Sequence, residues 1–317
     1  MRLLLNTGLC LLALCCVAQA ALGQPRRAPE VRFDAGGAAR AIPFELHRNH
    51  VYLRVRVNDS GPLLFILDTG ASSVISLRLA RSLGLRLRAG EGGYGVGETA
   101  VETAAADGVT LRLPGVALAR QTLAATSLDD LRTAEGREVE GILGYGFFRR
   151  LVVEIDHEAR VVNLYSPRRF RYRGRGRRVP LVLDAESGLV FARARVKPQG
   201  RAAVRGLFEI DSGGGHALIL NRPFAERHGL LAGARPEDTT PLGGLGGTSR
   251  AVAGMVESLT LGGERFDNVL TFFSLASEGM LASDEFDGSI GNGVLRHFKV
   301  VFDYSRRLLI LEGGRPR

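Results

Sequence analysis

The chain has 317 residues, of which 45% are hydrophobic and 24% charged, a composition that supports a buried core and excludes an intrinsically disordered protein. With 41 glycines against 12 prolines it is rich in turns, which disfavours a long helical bundle. Its formal net charge is +9, but seven arginines lie in one run at residues 168–178, so the basic balance is local.

The first 21 residues have the layout of a secretory signal peptide. Arg2 precedes an apolar run at about residues 8–18, and small residues with an A-x-A pattern end it. The run is too short to span a bilayer, so we expect residues 1–21 to be removed and the protein to be exported, either periplasmic or secreted. A retained membrane or lipid anchor is the alternative. Cys10, Cys15 and Cys16 all lie here, which leaves the mature chain without cysteine.

Short apolar or alternating segments, separated by Gly, Asp and Asn, predict β-strands along the rest of the chain. The predicted strands are 51–57, 63–67, 109–113, 151–155 and 161–165, then 179–183, 189–196, 207–210, 298–302 and 308–311. A short helix is predicted in each half, at residues 76–83 with Ser76 as N-cap and at residues 221–228 with Asn221 as N-cap. Each half is therefore predicted to be an all-β unit with one or two short helices.

Two segments occur twice, in the same order. Residues 141–164 align without gaps with residues 288–311, and 8 of the 24 pairs are identical. Upstream, residues 64–70 (LFILDTG) match residues 207–213 (LFEIDSG). This order of recurrence predicts two duplicated lobes, at residues 42–167 and 179–313.

Residues 168–178 (RRFRYRGRGRR) separate the two predicted lobes, with seven arginines and no acidic residue. Such a run repels itself and is typical of a solvated linker, with a contact to anionic lipid or a polyanion as the alternative. Without these seven charges the net charge falls from +9 to +2. Because an exported protein rarely meets nucleic acid, we expect no nucleic-acid partner.

The same tripeptide pattern ends an apolar strand in each half, as Asp68-Thr69-Gly70 and as Asp211-Ser212-Gly213. One such tripeptide is weak evidence, because an ordinary Asx-type turn explains it. Here it recurs once per repeat, and each copy is followed by a second loop, Ile142-Leu143-Gly144 or Ser289-Ile290-Gly291. This joint recurrence and spacing are hard to obtain by chance.

With these motifs, about residues 44–312 resemble the aspartic proteases of the pepsin and retropepsin superfamily, in the bacterial exported form with two retropepsin-like lobes on one chain. The resemblance implies an all-β fold of duplicated acid-protease-type β-barrel lobes. It implies that Asp68 and Asp211 form a catalytic dyad, and that the chain is an endopeptidase acting on peptides or proteins as a monomer. It also implies supporting roles in the dyad loops for Thr69, Gly70, Ser212 and Gly213.

The resemblance further implies glycine-rich flaps over the substrate. These fall at residues 91–97, with Tyr94 and Gly95, and at residues 242–248, with Gly244 and Leu245. Ala71 and Gly214 stand where pepsin-like lobes often place a hydroxyl that hydrogen-bonds the carboxylate. We therefore expect activity at mildly acidic to near-neutral pH.

Other chemistries lack support in the sequence. No HExxH pattern or carboxylate cluster accompanies the six histidines, and no P-loop or Rossmann pattern occurs, so we expect no metal, no nucleotide and no other cofactor. His216, five residues after Asp211, is interpreted as lying on the loop surface, with a role in tuning the two aspartates as the alternative. The alternative function is a non-catalytic protein that keeps the fold and binds an extended peptide by strand addition. Retention of both aspartates with their Thr and Ser neighbours favours catalysis.

Overall fold

The computed structural model describes residues 30–90, 102–231, 239–244 and 247–313. The predicted signal peptide, the three cysteines, Tyr94, Gly95 and Leu245 lie outside these ranges. No helix in the described part of the chain is long and apolar enough to cross a membrane.

The first half of the chain forms a closed barrel. Its helices are α1 (Leu77–Ser82), α2 (Asp129–Glu135) and α3 (Tyr145–Phe148). Its strands are β1 (Glu30–Phe33), β2 (Ala38–Pro43), β3 (Glu45–His47), β4 (His50–Val57), β5 (Pro62–Leu67), β6 (Val74–Ser76), β7 (Leu87–Ala89), β8 (Ala104–Leu113), β9 (Val116–Thr126), β10 (Val139–Leu143), β11 (Val152–Asp156) and β12 (Val161–Tyr165). Six of them pair in the order β9-β6-β10-β5-β4-β8, and β8 pairs back to β9, which closes the ring.

The second half repeats this arrangement. Its helices are α4 (Arg222–Arg227) and α5 (Asn292–Leu295). Its strands are β13 (Arg177–Leu183), β14 (Val190–Lys197), β15 (Val204–Asp211), β16 (Leu218–Leu220), β17 (Thr239–Gly244), β18 (Gly247–Leu261), β19 (Glu264–Ser274), β20 (Gly288–Gly291), β21 (Phe298–Asp303) and β22 (Leu308–Gly313). The ring order is β18-β19-β16-β20-β15-β14, and β14 pairs back to β18.

Alternating side chains fill both barrels. In β4, the apolar residues Val51, Leu53, Val55 and Val57 are fully buried while the arginines between the last three are exposed. In β14, the small apolar residues are buried and the intervening arginines are exposed in the same way. This period of two is what a strand with one buried face requires, and it explains why the strand predictions succeed here.

A six-stranded sheet joins the lobes, in the order β13-β22-β21-β11-β12-β2. The junction is the antiparallel pair β11–β21, with Val153 opposite Phe302 and Ile155 opposite Val300. Beside it, the Phe148 ring of the first lobe stacks on Tyr304 of the second at 5.6 Å between centroids. The lobes therefore share a continuous backbone hydrogen-bond network and an aromatic contact.

The arginine-rich segment packs more closely than its charge suggests. Phe170 is 9% exposed and packs against the outer face of the joining sheet. The Tyr172 hydroxyl donates to Glu312 at 2.6 Å, and the last two arginines, Arg177 and Arg178, belong to β13. The difference from a solvated linker arises because the interleaved aromatic rings supply apolar surface while most of the arginines stay in water.

Both predicted N-cap residues stand at the start of their helices, but only Ser76 caps its helix with a side chain. Ser76 Oγ accepts a hydrogen bond from the Leu79 amide at 3.1 Å. Asn221 is the N-cap residue of α4, as predicted, but its side chain makes no such bond. Its side-chain amide instead donates to the carbonyls of Met280, Ser283 and Phe286. The capping bond is absent because a loop about 60 residues later competes for the side chain.

Candidate functional site

Asp68 and Asp211 stand at equivalent places in the two barrels, at the carboxyl ends of β5 and β15. Each of these strands pairs in parallel with the strand of the second motif, β10 in the first lobe and β20 in the second. One oxygen of each carboxyl accepts a hydrogen bond from the amide two residues on, at 2.7 Å from Gly70 and at 2.8 Å from Gly213. These bonds set the direction of both carboxyl groups.

Thr69 and Ser212 lock the two loops together through four hydrogen bonds. Thr69 Oγ1 donates to the Ile210 carbonyl at 2.5 Å and accepts from the Ser212 amide at 2.9 Å. Ser212 Oγ donates to the Leu67 carbonyl at 3.0 Å and accepts from the Thr69 amide at 3.0 Å. Both residues are fully buried, so these bonds have no competition from water. We call these four bonds the loop clasp.

Gly70 and Gly213 allow each loop to approach the aspartate of the other lobe. A methyl group on Gly213 would collide with the Asp68 carboxyl. A methyl group on Gly70 would lie 2.9 Å from Asp211 Oδ1. The close approach of the two loops therefore requires glycine in the second lobe and leaves little room for a side chain in the first.

The two carboxyl groups lie close together, since each borders the loop that carries the other. Burial and the charge of Asp211 raise the pKa of Asp68 well above its ordinary value. Two like charges in so close a pair oppose each other, so the loss of a second proton from the pair is disfavoured.

The second motifs pass behind the aspartate loops. Gly144 lies against the carbonyls of Ala71 and Ser72, and Gly291 lies against the loop that follows Asp211. The Asp68 amide donates to the Leu143 carbonyl at 3.0 Å, which ties the first loop to its own crossing strand. The sequence-predicted motifs thus meet in space, although Ser289 replaces an apolar residue in the second copy.

An asparagine pair across the lobes was missed by sequence reasoning. Asn292 Nδ2 donates to the Ser212 carbonyl at 2.5 Å and to the Asn49 carbonyl at 2.9 Å. Asn49 Nδ2 donates to the Gly215 carbonyl at 2.8 Å. Asn49 has a φ of 69°, in the tight turn between β3 and β4. An asparagine in a short turn is a signal for positive φ, but its partner 243 residues away leaves no local sequence signal.

His216 does not lie on the loop surface, so that interpretation is wrong. Its Nε2 is 3.1 Å from Ser289 Oγ, and its ring sits beside the space next to Gly214 that Asp211 also borders. Burial lowers the pKa of His216, against the opposing effect of the Asp211 charge. The histidine is therefore part of the polar surroundings of the second aspartate.

The second glycine-rich segment is a hairpin that reaches the first lobe. β17 and β18 pair antiparallel up to Gly244 opposite Gly247. β17 lies against α2, where Gly243 faces Ala134. In the first lobe, β7 and β8 pair as far as Ala89 opposite Ala104. The flap residues Tyr94, Gly95 and Leu245 lie outside the described residues, so their roles stay predictions.

Two comparisons with known proteins bear on this site. Residues 53–147 match the family model described as aspartyl protease, a range that includes both motifs of the first lobe. An aspartic proteinase from Irpex lacteus has a solved structure of the same fold, with a TM-score of 0.52 and 12% sequence identity. That match covers 87% of this chain and 97% of the other. No curated protein matches the chain.

The structural match shows the fold, so the prediction of duplicated acid-protease-type β-barrel lobes is confirmed. The family-model match covers residues 53–147, so it shows a likeness to aspartyl proteases within the first lobe. Within the described ranges, no group of three or more His, Cys, Asp or Glu side chains is arranged to hold a metal ion.

Proposed function

We propose that the chain is an aspartic endopeptidase in which Asp68 and Asp211 act as one acid–base pair. The observation that carries the proposal is the close pair of carboxyls, each bordering the loop of the other lobe and held there by the loop clasp. The raised pKa of Asp68 supports a shared proton in the working state. The aspartyl-protease family match supports the same reaction class.

The chemistry follows from one shared proton. The ionised carboxyl takes a proton from a water molecule while the oxygen of that water bonds to the scissile carbonyl carbon. The protonated carboxyl donates its proton to the carbonyl oxygen. When the carbon–nitrogen bond breaks, the protonated carboxyl gives its proton to the leaving amine, and the other carboxyl takes a proton from a hydroxyl of the tetrahedral intermediate, which becomes the carboxylic acid product. The pair ends with one proton, so it is ready for another cycle. No cofactor takes part in these steps.

The substrate in this proposal is an extended peptide or protein segment between the lobes. The β17–β18 hairpin supports this reading, since it crosses from the second lobe toward α2 of the first. A hairpin tip rich in glycine moves at low cost, which suits a lid over a substrate. In this proposal Gly244, at the end of β17, belongs to the lid.

We propose further that the protein acts as a monomer and is exported. Both aspartates come from one chain and the clasp is intramolecular, which supports a monomeric active unit. The signal-like segment at residues 1–21 supports export to the periplasm or the medium. The mass of the mature chain recovered from an exported preparation tests the cleavage site.

Substitution of the aspartates tests the proposed reaction. Asp68→Asn and Asp211→Asn should each lower the cleavage of casein or a peptide library by about two to four orders of magnitude, since either change removes the acid–base pair. Asp59→Asn, at an exposed position in the turn between β4 and β5, is the matched control. Far-ultraviolet circular dichroism checks that all three variants keep the fold.

The same assay separates the two candidate functions. Equal cleavage by the wild type and both active-site variants would contradict the aspartic endopeptidase. A wild type that cleaves no library peptide over pH 3–8, yet retains peptides from that library on a column, would instead support the non-catalytic peptide-binding protein.

A further inference from the structure

A third carboxyl group borders the two aspartates. Side chains alternate along a strand, so Glu209 and Asp211 lie on the same face of β15. Glu209 is 4% exposed, and its Oε1 has no hydrogen-bond partner among the described residues. A methyl group on Gly70 would lie 2.8 Å from Glu209 Oε1 and 2.9 Å from Asp211 Oδ1. Both oxygens therefore face the same small space beside the first aspartate loop.

The first lobe has an apolar pair at the corresponding place. Ile66 stands opposite Ile142 in the parallel pairing of β5 and β10. In the second lobe, Glu209 stands opposite Ser289 in the pairing of β15 and β20. Two isoleucines fill such a position without electrostatic cost, whereas a buried carboxyl carries a desolvation penalty. The second lobe thus differs from the first by two neighbouring polar substitutions, both directed at the aspartate pair.

The groups around Glu209 come from five elements. Asp68 follows β5, Asp211 ends β15, and Ser289 of β20 stands opposite Glu209. The buried Tyr304 phenol, after β21, lies within electrostatic reach of Glu209 and Asp68. Burial and the charges of Asp211 and Asp68 raise the pKa of Glu209 well above its ordinary value, against the lowering effect of Ser289.

The fifth element is the loop after β15, where His216 Nε2 lies 3.1 Å from Ser289 Oγ. Burial lowers the pKa of His216, so its ring is neutral over most of the working range and brings no cation to offset the three carboxyls.

We propose that Glu209 is a positioning residue for the acid–base pair: with Asp68 and Asp211 it forms a three-carboxyl centre, and its negative charge at higher pH holds the shared proton on the aspartates. The inference rests on the proposed endopeptidase function. Three close carboxyls lose their protons in steps, because each ionisation disfavours the next. With Glu209 ionised, the aspartates keep their single proton, and hence activity, to higher pH than a two-carboxyl centre would.

A pH profile of kcat/KM tests this role. Glu209→Gln keeps the shape and hydrogen-bonding capacity of the side chain but cannot ionise, so the alkaline limb should move to lower pH by about one unit. One unit corresponds to about a tenfold loss of activity on that limb relative to the wild type. Glu209→Asp keeps an ionisable carboxyl and should keep the limb nearer to that of the wild type. Glu186→Gln, at an exposed position, is the matched control and should leave it unchanged.

Thermal unfolding gives a second readout that needs no catalysis. A glutamate whose pKa is raised in the folded state does not change the free energy of unfolding at a pH below its unfolded pKa, near 4.5. As the pH rises above that value, the same group lowers the free energy of unfolding. The melting temperatures of Glu209→Gln and the wild type should therefore coincide at pH 4, and the variant should melt higher at pH 8.

These readouts separate the inference from the function on which it rests. If the wild type cleaves peptides and Glu209→Gln leaves the alkaline limb in place, the positioning role is overturned while the endopeptidase stands. A melting difference that does not change with pH overturns it as well. A wild type without cleavage at any pH contradicts the endopeptidase, and with it any role of Glu209 in the reaction.

Discussion

At the scale of single residues, burial decides which polar side chains matter. Thr69, Ser212 and Asn292 are fully buried, and the side chain of each donates a hydrogen bond to a backbone carbonyl in or next to an aspartate loop. Some buried polar atoms have no partner in the described structure, among them Glu209 Oε1, both ring nitrogens of His157 and Asn292 Oδ1. The neighbouring aspartates suggest a chemical role for the unpaired Glu209 carboxyl oxygen. The unpaired His157 nitrogens have a structural explanation.

His157 behaves as an apolar aromatic side chain. Both ring nitrogens are buried without hydrogen bonds among the described residues, and the ring meets Phe44 edge-on at 5.9 Å. Burial lowers the pKa of His157 from 6.5 to about 4. A proton on this ring would need solvation that the site does not supply.

This lowered pKa predicts an acid sensitivity of the fold. Between pH 6.5 and pH 4 the unfolded chain gains a proton on His157 that the folded chain does not accept, so stability falls as pH drops through this window. The loss should be about 3 kcal/mol. His157→Phe removes the titrating group. The free energy of unfolding of the variant minus that of the wild type, measured with urea, should therefore increase as the pH falls from 7 to 4. Parallel curves for the two proteins would show that His157 is protonated in the fold.

At the scale of elements, the clasp makes two loops into one unit. Each loop offers a hydroxyl to the other, and the bonds end on backbone groups next to the aspartates. The crossing strands β10 and β20 support the loops from behind. The position of the carboxyls therefore depends on side-chain-to-backbone bonds between lobes more than on either barrel alone.

Removing one hydroxyl should loosen both loops. Thr69→Ala leaves the Ile210 carbonyl and the Ser212 amide buried without their partner, which should cost about 2–3 kcal/mol of stability and lower kcat. Thr69→Ser is the matched control, since the second lobe already uses serine at the equivalent place. Urea midpoints and kcat measure both effects. Equal stability of the alanine and serine variants would mean that water replaces the lost bonds.

Local patterns predicted these elements well, and distant contacts account for the failures. The predicted strand at residues 161–165 has the bounds of β12, since its alternation is a local property. Gly84 and Gly229 both have φ near 60° after their helices, as expected for a C-terminal glycine. The side-chain bonds of Asn221 and the position of His216 were misread because their partners, in the loop before β20 and in β20 itself, are more than 55 residues away.

In the candidate site too, local sequence patterns predicted some residues while others depend on distant contacts. The internal repeat was sufficient to pair Asp68 with Asp211, because a duplicated motif predicts symmetric placement. In the sequence, Glu209 is the one charged residue of the predicted strand 207–210, and it aligns with Ile66 in the first copy of the repeat. Its significance depends on the approach of Gly70 from the other lobe, which a single sequence does not show.

At the scale of the whole molecule, one sheet holds the two lobes. β11 of the first lobe pairs with β21 of the second, and β2 extends the first lobe's share of the sheet through β12. The first lobe therefore includes residues before 42, since β1 and β2 begin at residues 30 and 38. The segment at residues 168–178 joins the lobes along the outer face of this sheet.

A site built within one chain should be insensitive to dilution. Specific activity of the intact protein should stay constant as its concentration is lowered, because the clasp and the β11–β21 pairing are intramolecular. Fragments 30–167 and 168–317 each contain one of the two proposed active-site aspartates, so each should be inactive alone. Mixing them should restore part of the activity, since β11 and β21 present matching edges, and this recovered activity should fall on dilution. A steep loss of activity on dilution of the intact chain, or cleavage by either fragment alone, would show that the carboxyl pair forms between molecules and that Asp68 does not work with Asp211 of its own chain.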